Sequence, residues 1–75
     1  MARQFAVLGL GKFGAEVALQ LAADGCEVLA VDKEPDLVDE VKDNVARAAI
    51  ADVTERETLA ALGLDAFDGA VVALG

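Results

Sequence analysis

Four short apolar runs, Gln4 to Leu8, Glu27 to Val31, Val45 to Ile50 and Ala70 to Leu74, constrain this chain more than any other feature. Each is nearly continuous in its apolar residues, where a strand with one wet face would alternate. Continuous runs of this length are the mark of strands covered on both sides, as in a parallel sheet with helices above and below. The segments between them read as helices. Lys12 to Ala23 places Phe13, Val17 and Leu21 on one stripe with Ala18 and Ala22 beside it, and Asp24-Gly25 closes it with a glycine suited to the left-handed conformation. A second helix opens at Pro35, whose fixed φ suits the first helical position, carries Leu37, Val38 and Val41 inward, and ends at Asn44. The third is expected to open on a Thr54-Glu55-Arg56-Glu57 capping box, to run to Leu62 and to be capped by Gly63, with Leu64 folding back on the last turn.

The order is therefore β-α-β-α-β-α-β. Right-handed crossovers spread the first three strands to one side, and a doubly wound sheet then returns across the first strand to place the fourth. The expectation is an α/β, Rossmann-like doubly wound parallel sheet, partial, with four strands in the order 3-2-1-4. Seventy-five residues fit one small domain, which buries only about 60% of its unfolded surface and so needs a dense core. A hydrophobic content of 56% meets that need, while no apolar run approaches the roughly 20 residues of a membrane span. The final strand ends the chain at the expected sheet edge. Such an edge invites pairing, so either more chain covers it, the preferred expectation, or a second copy does.

Between the first strand and the first helix stands Gly9-Leu10-Gly11-Lys12-Phe13-Gly14, a G-x-G-x-x-G loop at the expected switch point of the sheet. Gly9 permits the tight turn, Gly11 lets backbone approach a phosphate, and Gly14 lets the helix lie close on the sheet. The free N–H groups of the first helical turn and the positive end of its dipole would attract the anion. Asp32 ends the second strand about 20 residues on, where its carboxylate can accept from both hydroxyls of a ribose and would repel a 2′-phosphate. NAD(H) or an adenine nucleotide is favoured over NADP, although neighbouring Lys33 weakens the exclusion. Lys12 either reaches a phosphate or is an exposed first-turn lysine. Asp52 and Val53 follow the third strand at the height of the base, where they read the adenine edge or serve only the local cap.

The net charge of −8 and the scattered basic residues argue against nucleic acid and anionic membrane as partners. The start Met1-Ala2-Arg3-Gln4 lacks the charged and apolar regions of a secretory signal, and a single cysteine, Cys26, fits a reducing, cytoplasmic setting. There is no His, Tyr or Ser, and Cys26 falls at the start of the second strand, remote from the loop. No acid–base or nucleophile constellation can be assembled from this set, so the chain reads as a binding module and not an enzyme.

Taken together, the glycine loop with its Lys12-Phe13 wording, Val28-Leu29-Ala30-Val31-Asp32-Lys33, Ala51-Asp52-Val53-Thr54, and Leu62-Gly63-Leu64 through Phe67-Asp68-Gly69 to Gly75 resemble the N-terminal lobe of RCK (KTN) domains. These are cytoplasmic regulators of potassium channels and of Trk and Ktr potassium uptake systems. The resemblance spans almost the whole chain, with a departure at Ala51, where many relatives carry Gly. It implies a regulatory module built as dimers within a homo-oligomeric ring beneath a membrane potassium transporter or channel subunit, where NAD(H) or ATP/ADP binding shifts gating. By motif, Gly9, Gly11 and Gly14 would hold phosphates, Asp32 the ribose, and Asp52 with Val53 the adenine side, while Lys12 falls where relatives aim a basic residue at phosphate, sometimes across a subunit interface. The family's lobe continues into further strands, so the chain reads as a fragment, residues 1–75, of that domain. The alternative is the N-terminal NAD-binding portion of a dehydrogenase whose catalytic residues lie downstream; a pure assembly module is the third reading.

Overall fold

In a computed structural model that describes residues 2–73, the elements follow the expected order. They are β1 (Gln4–Leu8), α1 (Lys12–Ala23), β2 (Glu27–Asp32), α2 (Pro35–Val41), β3 (Arg47–Ile50), α3 (Arg56–Ala61) and β4 (Gly69–Val72), with single 3₁₀ turns at Lys42–Asn44 and Leu64–Ala66. The sheet runs β3-β2-β1-β4 and every pairing is parallel, with Val7 opposite both Ala30 and Val71. The Rossmann-like arrangement read from the apolar runs is the one observed.

Why the runs are continuous is plain from the two cores. Val7, Val28 and Ala30 point to the face covered by α1 and α2, where they meet Leu10, Ala18, Val38 and Val41. Ala6, Leu8, Leu29 and Val31, the alternate positions of the same strands, point to the other face, where Val53, Leu59, Leu62, Leu64 and Phe67 cover them. A strand buried on both faces has no position left for a polar residue. Among the described residues no polar or charged side chain is buried.

The termini of α1 are set by glycines. At its C-terminus Gly25 takes φ +93°, its N–H bonds to the Ala22 carbonyl, and the Cys26 N–H reaches the Leu21 carbonyl, which together form a Schellman cap. Gly63, at φ +67°, ends α3 in the same left-handed region, and Leu64 folds back onto the core beneath it. The entry to β4 is clamped to β1 by a reciprocal pair, the Gln4 N–H donating to Asp68 Oδ2 at 2.7 Å and the Asp68 N–H donating to the Gln4 carbonyl at 2.7 Å.

Four local expectations are corrected. The capping box at Thr54 does not form: α3 begins later, at Arg56, with Glu55 at its N-cap, and the Thr54 hydroxyl donates to Asp52 Oδ1 at 2.6 Å. With Glu55 at the N-cap, Thr54 lies one residue before the cap, and its hydroxyl hydrogen goes to the charged carboxylate of Asp52. Phe13 is not part of the inward stripe of α1 but 68% exposed, because the helix approaches the sheet along Gly14 and Ala18 and turns its neighbour aside. β3 starts at Arg47 and not at Val45, which still leaves the 3₁₀ turn and uses its side chain to pack on the core. β4 begins one residue early, at Gly69; Leu74, the expected last residue of that strand, lies outside the described residues.

Candidate functional site

The strand order puts the gap between β1 and β4 next to the loop that leaves β1, and there the Ala73 N–H closes the parallel ladder onto the Leu8 carbonyl at 2.8 Å. Above the carboxyl ends of the strands opens a pocket of about 370 Å³. Gly9 and Gly11 form one wall, Asp32 and Lys33 another, and Asp52, Val53 and Thr54 a third. Open α/β sheets bind ligands at this place.

The glycine loop owes its shape to three separate constraints. Gly9 sits at φ +100° and its N–H donates to the Val31 carbonyl at 2.8 Å, so the chain turns sharply while staying tied to β2. Gly14 passes directly over Gly9: a Cβ there would stand 1.9 Å from the Gly9 carbonyl oxygen. Leu10, only 1% exposed, drops its side chain into the core below. The loop is thereby bolted down at both ends and in the middle.

Its amides divide into two groups. The Leu10 N–H donates to Asp32 Oδ2 at 2.7 Å, and the Gly9 N–H is used by β2. Gly11, Lys12, Phe13 and Gly14, at the N-terminus of a twelve-residue helix, donate to no protein acceptor among the described residues. No acidic residue occupies the first turn of α1 to neutralise the positive end of its dipole.

Of the residues expected at the site, Gly9, Gly11, Asp32, Lys33, Asp52 and Val53 surround the one pocket. Gly14 and Leu10 lie beneath it as supports, and Lys12 and Phe13 are exposed on the first turn of α1 without lining it. Three lining residues, Leu37, Thr54 and Ala73, were not expected there, Thr54 having been read only as a helix cap. Leu37 was read only as an inward residue of α2; Ala73 could have been found, since strand order 3-2-1-4 puts the end of the fourth strand beside the glycine loop.

Asp32 is half-buried and differs from a solvated strand-end carboxylate: Oδ2 takes the Leu10 N–H and Oδ1 the Glu34 N–H at 2.9 Å. Asp52 holds the opposite side. Its Oδ1 accepts from both the hydroxyl and the N–H of Thr54, at 2.6 and 2.9 Å. Those two bonds, the hydroxyl first, hold its carboxyl below the usual value against the opposing effect of desolvation, with the nearby Lys33 charge adding least. A carboxyl lowered on folding contributes stability that is present above its unfolded pKa and lost as the pH falls through the folded one. We therefore expect Thr54→Val, which removes the hydroxyl and keeps the N–H, to raise the Asp52 pKa toward the ordinary aspartate value. An Asp52 carboxyl titration followed by NMR that is identical in the two proteins would refute the assignment.

Cys26 lies at the opposite end of β2, half-buried against the α1 core. Among the described residues no three His, Cys, Asp or Glu side chains come together to hold a metal ion, and no helix is long and apolar enough to cross a membrane.

Comparison of the sequence with known proteins places the chain in a family. The chain is 45% identical over 73 residues to a Ktr system potassium uptake protein A of Vibrio alginolyticus, covering 97% of this chain and 33% of that protein. It is 41% identical over 75 residues to Ktr system potassium uptake protein C of Bacillus subtilis, covering all of this chain and 34% of that protein. Ktr system potassium uptake protein A of the same organism is 41% identical over 73 residues, 97% of this chain and 33% of its own length. The chain thus spans about a third of the length of the curated relatives it matches. A TrkA-N domain profile matches residues 5–75, which include every element of the sheet except the first residue of β1 and the whole wall of the pocket. On these grounds the chain belongs to the TrkA-N domain family.

Proposed function

We propose that this chain is a non-catalytic nucleotide-binding module that regulates potassium uptake. The observation that carries the reading is the set of four amides, Gly11 to Gly14, that donate to no acceptor among the described residues, at a helix N-terminus beside a pocket lined by Gly11 and Asp32. Helix N-termini with unpaired N–H groups take phosphates, and a strand-end aspartate beside them takes ribose hydroxyls. A nucleotide diphosphate with a free 2′-hydroxyl, as in NAD(H), ATP or ADP, meets both requirements, with Asp52 and Val53 on the base side. The names of the relatives supply only the context of potassium uptake; in this reading the chain works in a cytoplasmic, ring-forming homo-oligomer whose nucleotide state would bias a membrane potassium transporter. Such coupling requires the ligands to bind two states of the ring with different affinity. Those names favour regulation over the dehydrogenase alternative.

Gly11→Ala tests the site without disturbing the fold. A Cβ at Gly11 meets nothing within 4 Å, and its φ of −62° suits any residue. The new methyl would stand where a phosphate must approach the backbone. Stability should therefore stay within about 1 kcal/mol of the parent, while affinity for the bound nucleotide falls at least tenfold, about 1.4 kcal/mol. Unchanged affinity in a variant with an unchanged melting temperature would remove the glycine loop from the site.

A further inference from the structure

The carboxylate of Asp32 is already in use before any ligand is considered. Oδ2 holds the Leu10 N–H at 2.7 Å across 22 residues of sequence, and Oδ1 holds the Glu34 N–H at 2.9 Å. The first bond joins β2 to the middle of the glycine loop; the second joins β2 to the N-cap of α2, whose Leu37 lines the same pocket. Leu10 is the only amide between the strand-tied Gly9 and the open Gly11, so its direction decides which way the rest of the loop faces.

We infer that Asp32 is the positioning residue of the glycine loop. By holding the Leu10 amide inward it keeps the amides of Gly11 to Gly14 turned outward, and by holding the Glu34 amide it fixes the α2 side of the pocket in the same frame. A carboxylate has about four acceptor sites, so two backbone donors leave room for the hydroxyls of a ribose on the same group. Phosphate recognition and ribose recognition then share one carboxylate: the first depends on it for loop shape, the second for direct contact.

The consequence has a sign that separates it from simple electrostatics. Inorganic pyrophosphate has no ribose, and Coulomb repulsion alone predicts that deleting a nearby negative charge strengthens its binding. Positioning by Asp32 predicts the reverse. The test uses the full chain, with Asp32→Ala and with Asp32→Leu, which keeps about the side-chain size and has no acceptor oxygen, so that a folded variant is available even where alanine is not tolerated. In the ligand-free protein, hydrogen exchange at the Leu10 amide should quicken at least tenfold while Val7, in the ladder of β1, stays as in the parent. Pyrophosphate affinity by calorimetry should fall at least fivefold. Leu10 exchange that is unchanged, or that rises only in step with Val7, overturns the inference, as does unchanged or tighter pyrophosphate binding. The phosphate arm rests on the proposed nucleotide site: a parent protein that binds neither pyrophosphate nor nucleotide defeats that reading, and the exchange comparison then decides the role of Asp32 alone.

Discussion

Gly14→Ala should cost this fold about 3 kcal/mol or more, at the upper end of what overpacking does, and urea unfolding should show it as a large drop in midpoint. Helix propensity alone argues the opposite, since alanine in a helix interior is better than glycine by about 1 kcal/mol. The contact overrides it. A Cβ at this position would stand 1.9 Å from the Gly9 carbonyl oxygen, 2.9 Å from its carbon and 3.2 Å from the Ala73 Cβ. The first two are backbone atoms of a turn tied to β2, so no rotamer change relieves them. Either α1 lifts off the sheet, exposing Ala18 and its neighbours, or the Gly9 turn breaks. A variant as stable as the parent would show that α1 does not approach the loop as described. Gly11→Ala, with the same change of one methyl three residues earlier, provides the matched control.

Leu10→Ala should be comparably damaging, at about 2–5 kcal/mol for a buried leucine. A chain of this length has roughly 4–11 kcal/mol in total at ordinary stability per residue, so this one truncation threatens the folded state. Leu10 lies in a loop, yet it is 1% exposed and packs among Val7, Ala18, Val28, Val38 and Val41, filling the space between α1, α2 and the sheet. Its side chain is the plug that holds the loop down. Leu19→Ala, at a position 37% exposed on the outside of α1, should change stability by no more than about 0.5 kcal/mol. Equal losses for the two in parallel denaturation curves would contradict the packing.

The strand order could be read from the sequence because its cause is local: continuous apolar runs declare two covered faces, and crossover handedness leaves few ways to lay four such strands. Gly9, Gly14, Gly25 and Gly63 could be read for the same reason, each answering to a conformation or a close approach. What escaped depends on which partner wins in three dimensions. Thr54 has the pattern of a capping residue, but α3 starts with Glu55 at its N-cap and the Thr54 hydroxyl is tied to Asp52 instead. Phe13 fits the apolar period of α1, yet the small pair Gly14 and Ala18 sets the face that docks, leaving Phe13 exposed. The bond from the Leu10 amide to Asp32 spans 22 residues and appears only when loop and strand end are brought together. Leu37 was legible as an inward residue and not as part of the pocket, because its place there depends on how α2 leans over Asp32.

In the proposed function the pocket between Gly11, Asp32 and Asp52 binds a nucleotide. Isothermal titration calorimetry of the full chain against NADH, NAD, ATP and ADP tests it most directly. Saturable binding of at least one of the four is expected, lost or sharply weakened in Gly11→Ala. A folded full chain that binds none of them would contradict it.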